Sequence, residues 1–122
     1  AKKLFSLYSR AVFYININII RDKRCSMAFG VIATIKVQEG KNAEFEAVFT
    51  KLAEQVLANE KGAEFYALHR SKSDPQEYKV LERYTSMDDM KAHSKTDYFI
   101  EANKVLVSMV AAAPDIEVLD AV

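Results

Sequence analysis

Apolar and polar positions follow two rhythms along this chain, and the switches between them mark its elements. Residues 28–37, AFGVIATIKV, are dense in β-branched side chains and read as a buried strand. QEGKN follows as a turn around Gly40. From Ala43, apolar residues recur at Phe45, Val48, Phe49, Leu52, Val56 and Leu57, spacings of three and four that make one helical stripe. Glu44, Glu46, Lys51, Glu54 and Gln55 fall mainly off it, and Gly62 is the expected stop. AEFYALHRS (63–71) and EYKVLERYT (77–85) read as two strands joined by a turn centred on Pro75. Ser86, with Asp89 three residues later, resembles a capping box opening a second helix. Thr96 or Asp97 caps a further helical segment whose stripe is Phe99, Ala102, Leu106, Met109 and Val110. Pro114 stops it, and DIEVLDAV (115–122) reads as a last strand.

The order is β-α-β-β-α-β, an α+β, ferredoxin-like arrangement with an antiparallel sheet and both helices on one face. That leaves the other face of the sheet bare, and a bare face carrying Val, Ile and Phe calls for a cover. A second copy packed sheet to sheet is the simplest one, so a homodimer or higher homo-oligomer is expected.

A chain of 122 residues supports one domain. That domain is expected to span residues 27–122, with residues 1–26 as an extension whose native status the sequence leaves open. In the extension Phe13, Ile15, Ile17 and Ile19 alternate with polar or aromatic residues in a strand-like pattern. Its Ile-rich part is expected to pack on a sheet edge or helix face. Arg10, Asn16 and Asn18 interrupt its apolar part and RDKRCS lacks a small-residue cleavage site, which argues against a secretory signal.

Charge changes the picture little. Seventeen basic and seventeen acidic residues cancel, which argues against nucleic acid. No apolar run is long enough to span a membrane. The single cysteine, Cys25, excludes an intrachain disulfide and fits a reducing, cytoplasmic setting. No Cys/His cluster has zinc spacing, so no metal is expected.

Candidate chemistry gathers on the third strand and the helix after it. Tyr78, Val80, Glu82 and Tyr84 share one strand face, the more apolar one, which places Glu82 among buried neighbours. A turn centred on Pro75 sets Tyr66 opposite Tyr84 and Leu68 opposite Glu82. Met87, Met90 and His93 are spaced by three, which puts His93 on the buried stripe. A carboxylate in an apolar site must be neutralised or paired, and His93 is a candidate partner. Such a pair would orient the imidazole and raise its basicity. With tyrosine hydroxyls near, it could remove the proton of a phenol or enol. Plainer readings stand beside this one: His93 as a half-exposed helix residue, Glu82 in an ion pair with Arg70, Arg83 or a second chain, and Tyr66 and Tyr84 as ordinary cross-strand aromatics. His69, on the opposite face from Tyr66, reads as core or interface.

The stretch GAEFYALHRSKSDPQEYKVLERYTSMDDMKAHSKTDYF resembles the antibiotic biosynthesis monooxygenase domain, also called the quinol-monooxygenase-like family. The ordered set is Gly62, Tyr66, Leu68, Asp74, Pro75, Glu82, Tyr84, His93 and Phe99. The resemblance implies a dimeric α/β barrel with a pocket between sheet and helices. It also implies a cofactor-independent oxygenase that acts on a small quinol-like or polyketide-type aromatic with O2, with His93 and Glu82 catalytic. Tyr66, Leu68, Tyr84, Tyr98 and Phe99 would bind the substrate. The family includes haem-degrading enzymes with an Asn in the first strand, but VIATI (31–35) has none, so haem is not expected. It also includes an isomerase of a phosphorylated sugar, an alternative alongside a non-catalytic ligand-binding dimer. Tyr84 stands where many members carry Trp, and Tyr98 where several carry a second His.

Overall fold

The computed structural model describes residues 28–122. The expected extension, with its strand-like Ile pattern and Cys25, lies outside the described residues. The elements are β1 (Phe29–Lys36), α1 (Asn42–Asn59), β2 (Ala63–Arg70), β3 (Glu77–Tyr84), α2 (Met87–Ser94), α3 (Asp97–Leu106) and β4 (Asp115–Asp120), with a 3-10 turn at Val107–Met109 after α3. The ferredoxin-like order stands: a four-stranded antiparallel sheet, β2-β3-β1-β4, with helices packed on one face.

The alternation within strands sets the layers. Phe29, Val31, Ala33 and Ile35 of β1 and Tyr78, Val80 and Tyr84 of β3 point inward and are buried. They meet the α1 stripe of Phe45, Phe49, Leu52 and Val56, and Phe99 and Leu106 of α3. Phe49 stacks on Tyr66, with centroids 5.6 Å apart and planes 7° apart.

Two local expectations need correction. Helix α1 does not run to Gly62. It ends at Asn59, and Glu60 leaves it in extended backbone, φ −112° and ψ 99°, with its N–H still donating to the Val56 carbonyl. Gly40, at φ 82°, is the one described glycine in the left-handed region. Gly62 is needed for space instead: a Cβ there would lie 2.1 Å from Cγ of Asp89. The β2–β3 register is also shifted by two. Tyr66 pairs with Glu82, Leu68 with Val80 and Ala63 with Tyr84, with a bulge between Ala63 and Phe65. The turn centres on Asp74 rather than Pro75. The Asp74 carboxylate accepts from Gln76 N–H at 3.0 Å and its carbonyl accepts from Glu77 N–H at 3.1 Å. A shift of two keeps every side chain on its face, so the inward set survives.

Candidate active site

Helix α2 places the imidazole. Ser86 is its N-cap, and its hydroxyl accepts from Asp89 N–H at 3.2 Å. The Asp89 carboxylate in turn receives the hydroxyls of Ser86, at 2.7 Å, and Thr85. These donors hold the Asp89 carboxyl below the usual carboxylate range. From that anchored start Met87, Met90 and His93 descend the buried face, as their spacing predicts. Thr96 closes the far end: its hydroxyl donates to the His93 carbonyl at 2.9 Å and accepts from Phe99 N–H, capping α3.

His93 is 4% exposed and sits in a cage of rings. Phe99 meets it edge-on at 4.6 Å between centroids, Tyr66 at 5.1 Å and Tyr84 at 5.8 Å. Its Nδ1–H donates to Glu60, with 3.0 Å to Oε1 and 3.1 Å to Oε2. The Tyr98 hydroxyl donates to Oε2 of the same carboxylate. Burial first and this hydrogen bond second push the Tyr98 phenol up to about 12, so it stays a neutral donor. His93 Nε2 is buried and has no hydrogen-bond partner among the described residues.

Glu82 is therefore not the carboxylate on His93 Nδ1; Glu60 is. Glu82 and His93 nonetheless share one cleft, with Val31, Tyr84, Met90, Ser94, Phe99 and Ile116, holding about 320 Å³ of empty space including its open mouth. Glu82 keeps some exposed surface, yet protein surrounds its carboxyl. Burial, and after it the negative charge of Glu60, push that carboxyl up to about 8. Among the described residues it forms no ion pair: Arg83 pairs with Glu64 and Arg70 with Glu46.

The remaining expected residues divide. Tyr84 and Phe99 line the His93 cleft with Glu82. Tyr66 touches the imidazole but lines a second, apolar cleft with Phe45, Phe49, Phe99 and Asn103, about 430 Å³ of empty space including its open mouth. Tyr98 reaches the site through Glu60, and Leu68 lines neither space. His69 lies exposed on the outer sheet face. Sequence reasoning missed Glu60. A helix end set at Gly62 hides it inside the helix, and only a stop at Asn59 turns its side chain toward α2. Among the described residues no three His, Cys, Asp or Glu side chains gather as a metal site.

Residues 28–105 match the antibiotic biosynthesis monooxygenase family. The chain belongs to that family. A crystal structure from Caulobacter crescentus, described as a "putative antibiotic biosynthesis monooxygenase", is 52% identical. The match covers 80% of this chain and 92% of that one, with a TM-score of 0.78. A Bordetella bronchiseptica structure with the same description is 28% identical over 79% of this chain and 98% of that one, TM-score 0.69. A conserved protein from Methanosarcina mazei, 23% identical over 80% of this chain and 95% of that one, TM-score 0.74, shares the fold. Among curated proteins none matches the chain. Membership of this family points to a small-molecule substrate. Among the described residues no helix is long and apolar enough to cross a membrane.

Proposed function

We propose that this protein is a cofactor-independent monooxygenase of a small, electron-rich aromatic, a quinol or a polyketide-type phenol. One observation carries the reading: a buried imidazole whose Nε2 has no partner lines a cleft with a carboxyl pushed up to about 8. A carboxylate can only accept a hydrogen bond, so Glu60 leaves the proton on Nδ1 and the lone pair on Nε2. Nε2 takes the phenolic proton. A charged Glu82 would repel the resulting phenolate, whereas a protonated one donates to its oxygen. The phenolate passes one electron to O2, and the phenoxyl radical and superoxide combine at a ring carbon. Loss of the ring proton from that carbon and heterolysis of the O–O bond leave a new carbonyl and, with the proton returned by His93, water. For a hydroquinone the balance is quinol plus O2 to hydroxyquinone plus water. Tyr84 and Phe99 wall the ring.

The neutral Glu82 also favours a second reading, an isomerase. A base and an acid lining one cleft suit removal of a proton beside a carbonyl and its return elsewhere. The test is oxygen uptake with a panel of hydroquinones, comparing wild type with His93→Ala and Glu82→Ala. His93→Ala is expected to lose roughly 10²–10⁴-fold in kcat. Deuterium uptake by an enolisable ketone without O2, and no oxygen consumption, would favour the isomerase. Equal rates in all three proteins would reject the catalytic role of His93 and Glu82, whereas neither uptake nor exchange by wild type would leave a non-catalytic ligand-binding dimer.

A further inference from the structure

We infer that Glu60, held by Tyr98, is the positioning residue of this site: it fixes His93 as the Nδ1–H tautomer and supplies the counter-charge when Nε2 is protonated. The inference rests on the reading of His93 as a base. Its geometry comes from three elements converging on one carboxylate. Glu60 stands where α1 has just ended, so its backbone N–H is spent on Val56 and its side chain is free to leave the helix axis. Helix α2 brings His93 Nδ1 to both of its oxygens, and the first turn of α3 brings the Tyr98 hydroxyl to one of them. The two side chains in the ion pair are 5% and 12% exposed, for His93 and Glu60 respectively. A carboxylate so enclosed needs donors, and these two provide them.

The arrangement divides the work between two carboxyl groups. Glu60 bonds the ring at Nδ1, and Glu82 shares the cleft that the ring lines. The titratable groups around Glu82 are His93 on α2, Tyr84 on its own strand, Tyr66 opposite it on β2, and Glu60 at the end of α1. Among these, Glu60 is the anion that keeps Glu82 protonated, second only to burial itself. Glu60 thus governs the base directly and the acid at a distance.

The test uses ¹⁵N NMR of the full chain, which holds only two imidazoles, with His93→Ala identifying one of them. Wild type is expected to carry the neutral His93 proton on Nδ1. Glu60→Ala should move it toward Nε2. Glu60→Gln retains an acceptor without charge, so it should hold the tautomer while lowering kcat by roughly 10–100-fold, with KM little changed. It should also shift the alkaline limb of the pH–rate profile to lower pH. Tyr98→Phe should give a weaker form of both effects. A folded Glu60→Ala that keeps the Nδ1–H tautomer would overturn the positioning role. A Glu60→Gln with wild-type rate and pH profile would overturn the counter-charge role, and would decide the matter alone were Glu60→Ala unfolded. Absence of oxygen uptake by wild type would reject the oxygenase and leave the tautomer measurement standing.

Discussion

Burial first and Glu60 second push the Glu82 carboxyl up to about 8, which favours its protonated form at pH 7. Two consequences follow at this residue. Ionisation above about pH 8 places a negative charge beside a phenolate, so oxygen uptake by wild type should fall there. Glu82→Gln keeps a donor that cannot ionise, and its rate should hold through that range in the same assay. The second consequence concerns stability. An unfolded Glu ionises near 4.5, well below the folded group. The stability associated with the protonated form is complete below pH 4.5, declines as pH rises, and is lost by about pH 8. Relative to Glu82→Gln, wild type should therefore weaken across that window, by at most about 1.4 kcal/mol per pH unit, and run parallel above it. Urea melts of both proteins at pH 5, 6.5 and 8.5 measure this. The inward face of Glu82 and the burial of His93 were legible, because both follow from a fixed period of two or of three to four. Glu60 was not, because a lone Glu near a helix end reads as solvated. Its partners lie 33 and 38 residues away, where no periodicity reaches.

The helices meet the site through their ends rather than their middles. Glu60 caps α1, Ser86 caps α2 and Thr96 links α2 to α3. The capping signals at Ser86 and Thr96 were readable because a side-chain oxygen three residues before a free N–H is a local device. The hairpin register was not. Asp74 and Pro75 are both strong turn formers, and only the Asp74 carboxylate's bond to Gln76 decides between them. Gly62 illustrates a different limit: its role is tertiary, since Asp89, the residue held by the α2 cap, fills the space a Cβ would occupy. Gly62→Ala is expected to lose about 1–3 kcal/mol by overpacking, with a matching drop in kcat as α2 tilts. Gly40→Ala strains only a left-handed turn, so its thermal melt should fall with the kinetics of the folded protein unchanged.

On the scale of the whole molecule, one side of the sheet has no cover among the described residues. Ile32 of β1 lies between Leu81 of β3 and Glu117 of β4, Leu81 faces Ala67 of β2, and Phe65 and Leu119 are 46% and 42% exposed. A second copy laid against this face remains the proposal that the sequence pattern raised. Sedimentation should show a two-chain species for wild type and single chains for Leu81→Lys, which charges the centre of the patch. Persistence of the two-chain species in that variant would move the interface elsewhere. Strand order has a further effect. Ile116, a wall of the His93 cleft, belongs to β4, which among the described strands pairs only with β1. The other seven lining residues come from β1, β3, α2 and α3, so this edge strand closes a cleft whose polar groups sit elsewhere. Loosening that one pairing would let water into the cleft without displacing the imidazole or either acid.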